Sequence, residues 1–142
     1  MSTRANIIIE DEYEKLWFYR HSDGYPEGTL PTLKKFMRWV KEKRIRDNAQ
    51  QAAGWLIVIG NEEYRGKNVL SHYGDEDKKV CGVDVQHEPG KAGSMSGWKV
   101  GAYEPTLDQH GDIEFLYTLD LLKPDVIKVL DVYKKESTME NV

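Results

Sequence analysis

The sequence predicts an α+β domain: an antiparallel sheet of about five strands with two central helices packed on one of its faces. Three observations predict it. Strand-like runs lie at both ends of the chain, at residues 4–20 and again from Trp98 onward. Two helical segments lie between them. Short turn-like links, Asp11-Glu12 and Lys123-Pro124-Asp125, join strand to strand within each end region.

The first run, Arg4 to Glu10, is dense in β-branched residues (Ile7, Ile8, Ile9). The second, Tyr13 to Arg20, places Leu16 and Phe18 on one face and Trp17 and Tyr19 on the other. The two read as an antiparallel hairpin. Large side chains stand on both faces of the second strand, whereas the helices can cover only one. A pocket or an interface is therefore expected there, and with it a homo-oligomer, most simply a two-fold dimer.

"YRHSDGYPEGTLP" then leads into the first helix. Pro31 suits a first helical position, where its missing N–H is no loss. Leu33, Phe36, Met37 and Val40 recur at i, i+3, i+4 and i+7, the signature of an amphipathic helix. Asp47 or Asn48 can cap a second helix from Ala49 to about Tyr64. Its run from Trp55 to Ile59 makes it apolar nearly all round, hence buried, with Gly54 and Gly60 as points where a neighbour can approach closely.

Residues 66–98 change character, with Gly66, Gly74, Gly82, Pro89, Gly90, Gly93 and Gly97 and few large apolar side chains. They read as a flexible loop that covers something or stays disordered, with Val80 to Val85 able to add a short edge strand. "WKVGAYEP" reads as a strand ended by Pro105. "DIEFLYTLDLL" and "VIKVLDVY" read as a second hairpin. Residues 1–133 thus form one domain and 134–142 a polar, frayed tail.

Bulk properties exclude several classes. At 142 residues, 39% hydrophobic and 31% charged, the chain is one ordinary globular domain. No run approaches the roughly 20 apolar residues of a membrane span, and the opening residues show no signal-peptide pattern. The single cysteine, Cys81, fits a reducing compartment, so a cytoplasmic location is expected. The net charge of −4 hides an asymmetry: Lys34, Lys35, Arg38, Lys41, Lys43, Arg44 and Arg46 fall together against Glu42 alone. Such a run is either a solvated helix face or a collector of phosphate-bearing ligands. Overall acidity makes duplex DNA an unexpected partner.

Two polar constellations stand out. In the first, Arg20 at a strand end can present a bidentate fork to phosphate, His21 can donate or accept, and Tyr25 adds a flat surface. Turn chemistry explains Asp23, Gly24 and Pro26 equally well. The second, "GAYEPTLDQHGD", carries Tyr103, Glu104, Asp108, His110 and Asp112 between two strands expected to be neighbours. No HExxH, GxSxG, Walker or paired CxxC spacing occurs. Acids around Cys81 oppose a reactive thiolate. Trp17, Tyr19, Tyr25, Trp98 and Tyr103 beside arginine and histidine suit stacking on a base and gripping a phosphate, or else are core.

The segments "WFYRHSDGYPEGTLPTL", "RDNAQQAAGWLIVIG" and "GAYEPTLDQHGDIEFLYTLDL" resemble small proteins encoded by bacteriophages, prophages and mobile elements. That resemblance covers most of the chain outside 65–98 and the tail. It implies a phage accessory role in counter-defence, such as inhibiting a host defence protein or sequestering a nucleotide immune signal, and it carries over no catalytic residue. The expected function is a non-enzymatic binder without cofactor. Arg20 would hold the ligand's phosphate, with Trp17, Tyr25 and Tyr103 stacking on a base and His21 or His110 bonding ribose or phosphate. The alternative is a metal-assisted phosphoesterase or nuclease using Asp23, His21, Glu104 and Asp112.

Overall fold

The structure, a computed structural model, describes residues 3–64 and 102–142. The loop expected at 66–98, the short strand at Val80 to Val85, and Cys81 and Trp98 lie outside the described residues.

The fold is α+β, with β1 (Ala5–Glu10), β2 (Lys15–Arg20), α1 (Pro26–Lys41), α2 (Ala49–Tyr64), β3 (Glu104–Thr106), β4 (Phe115–Asp120), β5 (Val126–Asp131) and β6 (Glu136–Asn141) in chain order. The strands form one six-stranded sheet in the order β3-β2-β1-β4-β5-β6. Both expected hairpins are present, with Ala5 opposite Arg20 in one and Leu116 opposite Leu130 in the other.

The pairing of the strands differs from expectation. The sheet is mixed, because β1 runs parallel to β4 with Ala5 beside Phe115. The residues read as a polar tail form β6, which pairs antiparallel with β5 and places Thr138 opposite Val129. "ESTMEN" lacks an apolar alternation because an edge strand half in water has little to bury.

One sheet face carries Ala5, Ile7, Ile9, Phe18, Tyr117, Leu119, Ile127 and Val129, all buried beneath Leu33, Phe36 and Met37 of α1 and Leu56 of α2. Burial of that shared apolar surface is the main stabilising term. Helix α1 opens at Pro26, five residues earlier than expected. Tyr25 holds the N-cap position without a side-chain cap bond, and its carbonyl accepts from Gly28 and Thr29 N–H at 3.0 and 3.1 Å. Pro26 has the same preset φ as Pro31. Pro31, now inside the helix, gives up only the bond to the Glu27 carbonyl.

Helix α2 starts at Ala49, as its composition predicts. Asn48 Oδ1 accepts the Gln51 N–H at 3.1 Å. A second cap comes from far along the chain: Asp11 Oδ2 accepts the Ala49 N–H at 2.7 Å while its Oδ1 takes the N–H groups of Tyr13 and Glu14. One carboxylate therefore closes the β1–β2 turn and caps a helix, and these bonds hold its pKa below the ordinary 3.8. The helix is not buried all round. Ala52, Leu56 and Ile59 face the core, while Trp55 is 46% and Val58 49% exposed. Gly60 is where the neighbour approaches, since a Cβ there would meet the Tyr103 ring at 2.5 Å, whereas Gly54 faces open space. No helix among the described residues is long and apolar enough to cross a membrane.

Candidate functional site

The six residues singled out as ligand contacts divide between the two faces of the sheet. Residues alternate faces along a strand, so Arg20 shares its side of β2 with Phe18, under the helices. Arg20 is 2% exposed. Its Nε donates to the carbonyls of Ser22 at 3.0 Å and Asp23 at 3.3 Å, and one terminal nitrogen donates to the Gly28 carbonyl at 3.4 Å. Its guanidinium lies 5.0 Å from the Tyr103 ring centre, and Tyr103 is buried against Gly60. The exposed fork expected at the strand end is therefore absent, because backbone carbonyls of its own loop take the donors.

The rest of that loop is held the same way. Gly24 N–H donates to the Thr3 carbonyl at 2.9 Å, the Thr29 hydroxyl donates to the Asp23 carbonyl at 2.8 Å, and Tyr117 Oη donates to the Gly24 carbonyl at 2.6 Å. Burial pushes the Tyr117 hydroxyl far above its ordinary pKa, keeping it a donor. A side chain at position 24 would meet the Thr3 carbonyl at 2.8 Å, so only glycine fits this approach. "RHSDGYP" is thus a tied connection, with Tyr25 at the helix N-cap.

Trp17, Tyr19 and His110 belong to the opposite face. Strands β3 and β4 are not neighbours as expected, since β2 and β1 lie between them, and their connection must cross the sheet end. Asn6 pins that crossing. It is fully buried, donates from Nδ2 to the Phe18 carbonyl and accepts the His110 N–H on Oδ1, both at 2.8 Å. The His110 ring then stacks on Tyr19 at 4.1 Å and 12°, and its Nε2 lies 3.1 Å from the Thr106 hydroxyl. Tyr19 Oη is 3.0 Å from Nδ1 of the exposed His21. Both histidines therefore do converge, on Tyr19. Burial, then the charge of Asp112, raises the Tyr19 pKa, so the phenol stays neutral and acts as a hydrogen-bonding hub.

The acids are dispersed. Asp112 pairs with Arg4 at 3.4 Å, Glu104 stands opposite Tyr19 in the β2–β3 register, and Asp23 sits in the left-handed region at φ 57. Among the described residues no three His, Cys, Asp or Glu side chains come together in a metal-holding group.

Charge and space coincide elsewhere. The α1–α2 connection and the β4–β5 turn enclose a half-open cleft of about 510 Å³, rimmed by Lys41, Lys43, Arg44 and Arg46 with Asp47 the one acid. Lys41 pairs with Asp125 at 2.6 Å, and Arg44 lies 3.8 Å from Glu42 and 4.6 Å above the Trp39 ring. Lys43 and Arg46 make no ion pair among the described residues. The basic run signalled this cleft in the sequence, but its apolar side, Leu122 and Pro124, comes from a turn far along the chain. Asn6, the lone polar residue in "ANIIIE", was the legible signal for the pinned crossing, and it was missed.

No protein-family model matches this chain, and neither a curated protein nor a solved structure is similar to it.

Proposed function

We propose that this chain is a non-enzymatic accessory protein of phage or prophage origin that captures a phosphate-bearing, nucleotide-derived small molecule in the cytoplasm of the host cell. One observation carries it: in an acidic protein four cations rim one cleft, and two of them, Lys43 and Arg46, make no ion pair among the described residues. Leaving like charges together is unfavourable unless an anion joins them.

The test is capture from a host-cell extract. The purified protein is incubated with extract, washed, denatured, and the released material identified by mass spectrometry. The expected result is one intact phosphate-bearing molecule in stoichiometric amount. Release of a chemically altered product in excess of protein would establish an enzyme, and no phosphate-bearing release would end the proposal.

A second reading within the binding class, inhibition of a host defence protein, draws on the apolar side of α2, where Trp55, Ile57 and Val58 face outward.

A further inference from the structure

We infer that the cleft between the α1–α2 connection and the β4–β5 turn is the binding site itself, and that its ligand is an amphipathic anion of nucleotide size. The phosphate lies on Lys43 and Arg46, and the planar body lies on Leu122 and Pro124. The inference rests on the binding role proposed above and assigns it a place, a pose and a ligand class.

The size fits first. A volume of about 510 Å³ falls within the roughly 300–1,000 Å³ typical of small-molecule sites. It exceeds what a bare phosphate fills. The charge fits next. Four cations face the cleft against Asp47, and two of the four are partly engaged, by Asp125 and by Glu42 with Trp39. Lys43 and Arg46 remain to meet a doubly charged group, which a phosphate supplies and a single carboxylate does not. The opposite wall is apolar: Leu122 is 54% exposed beside Pro124. A base or similar flat group covers that surface from water while its phosphate meets the basic rim.

The backbone at Lys43 makes the cleft testable. Lys43 has φ 61 at the C-terminal end of α1, where its N–H donates to the Val40 carbonyl at 3.0 Å. Glycine is the usual occupant of this left-handed position, and other residues are strained there. Here a lysine that lines the cleft occupies it.

That strain supplies a clean variant. Lys43→Gly removes the charge at a position where glycine is favoured, so its thermal midpoint should equal or exceed that of the parent chain. The full chain, Lys43→Gly, Arg46→Ala and the distant Lys128→Ala are titrated calorimetrically with ATP, pyrophosphate and inorganic phosphate at low and high salt. The expected order for the parent is ATP, then pyrophosphate, then phosphate, each weakened by salt. Lys43→Gly and Arg46→Ala should each weaken ATP binding at least tenfold, and Lys128→Ala should leave it unchanged. If ATP binds the parent and both cleft variants equally, the cleft assignment is overturned while the binding role stands. If pyrophosphate and phosphate bind as tightly as ATP, the amphipathic pose is overturned. If none of the three binds while extract capture yields a phosphate-bearing molecule, the nucleotide-like ligand class is overturned. Failure of the extract capture itself overturns the binding role.

Discussion

The two ends of the sheet are both rich in polar side chains, yet they use them in opposite ways. At the end where β2 leaves for α1, the donors of Arg20, the Tyr117 hydroxyl and the Gly24 N–H all meet carbonyls of the chain itself. At the end where β4 turns into β5, Lys43 and Arg46 line open space. The first arrangement makes a loop rigid and the second leaves charge available to a ligand. A polar cluster is therefore informative about function only after its partners inside the chain have been counted.

The largest expected effect that separates the two ends is Arg20→Ala. It removes a buried side chain and takes a donor from the Ser22, Asp23 and Gly28 carbonyls, of which Asp23 keeps the Thr29 hydroxyl, and should destabilise the protein by about 3 kcal/mol in chemical denaturation. ATP binding at permissive temperature should be unchanged. A stable variant that has lost binding would break the comparison and return Arg20 to a ligand site.

Tyr117→Phe comes next. It removes the bond to Gly24 and leaves that carbonyl buried without its donor, for an expected loss of about 1–2 kcal/mol. A loss within experimental error would mean that the loop's other bonds, from Arg20, Thr29 and the Gly24 N–H, hold it without Tyr117.

The smallest effect belongs to Asp11→Asn, and it is best seen against pH. The carboxylate's pKa is lowered in the folded protein, so its stabilisation is present above the ordinary carboxylate range and fades as pH falls through the folded value. Melting curves of the parent should therefore fall across the mildly acidic range below about pH 4. Those of Asp11→Asn should start lower and fall less. Parallel curves would show that the double cap contributes nothing to folding.

Elements with a regular period were legible in the sequence. The 3.6-residue spacing through Leu33, Phe36, Met37 and Val40 and the alternation in β2 led directly to α1 and to the first hairpin. Long-range choices were not legible. Nothing local distinguishes β1 pairing with β4 from an all-antiparallel sheet, and "ESTMEN" becomes a strand only because β5 offers it an edge. The surroundings of the candidate site residues were not legible for the same reason. Arg20 has the composition of a phosphate ligand, and only the carbonyls of Ser22, Asp23 and Gly28 show that its donors are taken. The basic run was visible, but the Leu122 and Pro124 wall that turns it into a cleft arrives from the far side of the fold.

The parallel pairing of β1 with β4 also sets a timetable. Ala5 leaves the ribosome 110 residues ahead of its partner Phe115. The β1–β2 hairpin and both helices emerge while one flank of β1 has no neighbour, and closing so long a loop is a slow step. Until β4 is synthesised, the Ile7 and Ile9 strand presents unsatisfied backbone groups to whatever else is in the cell.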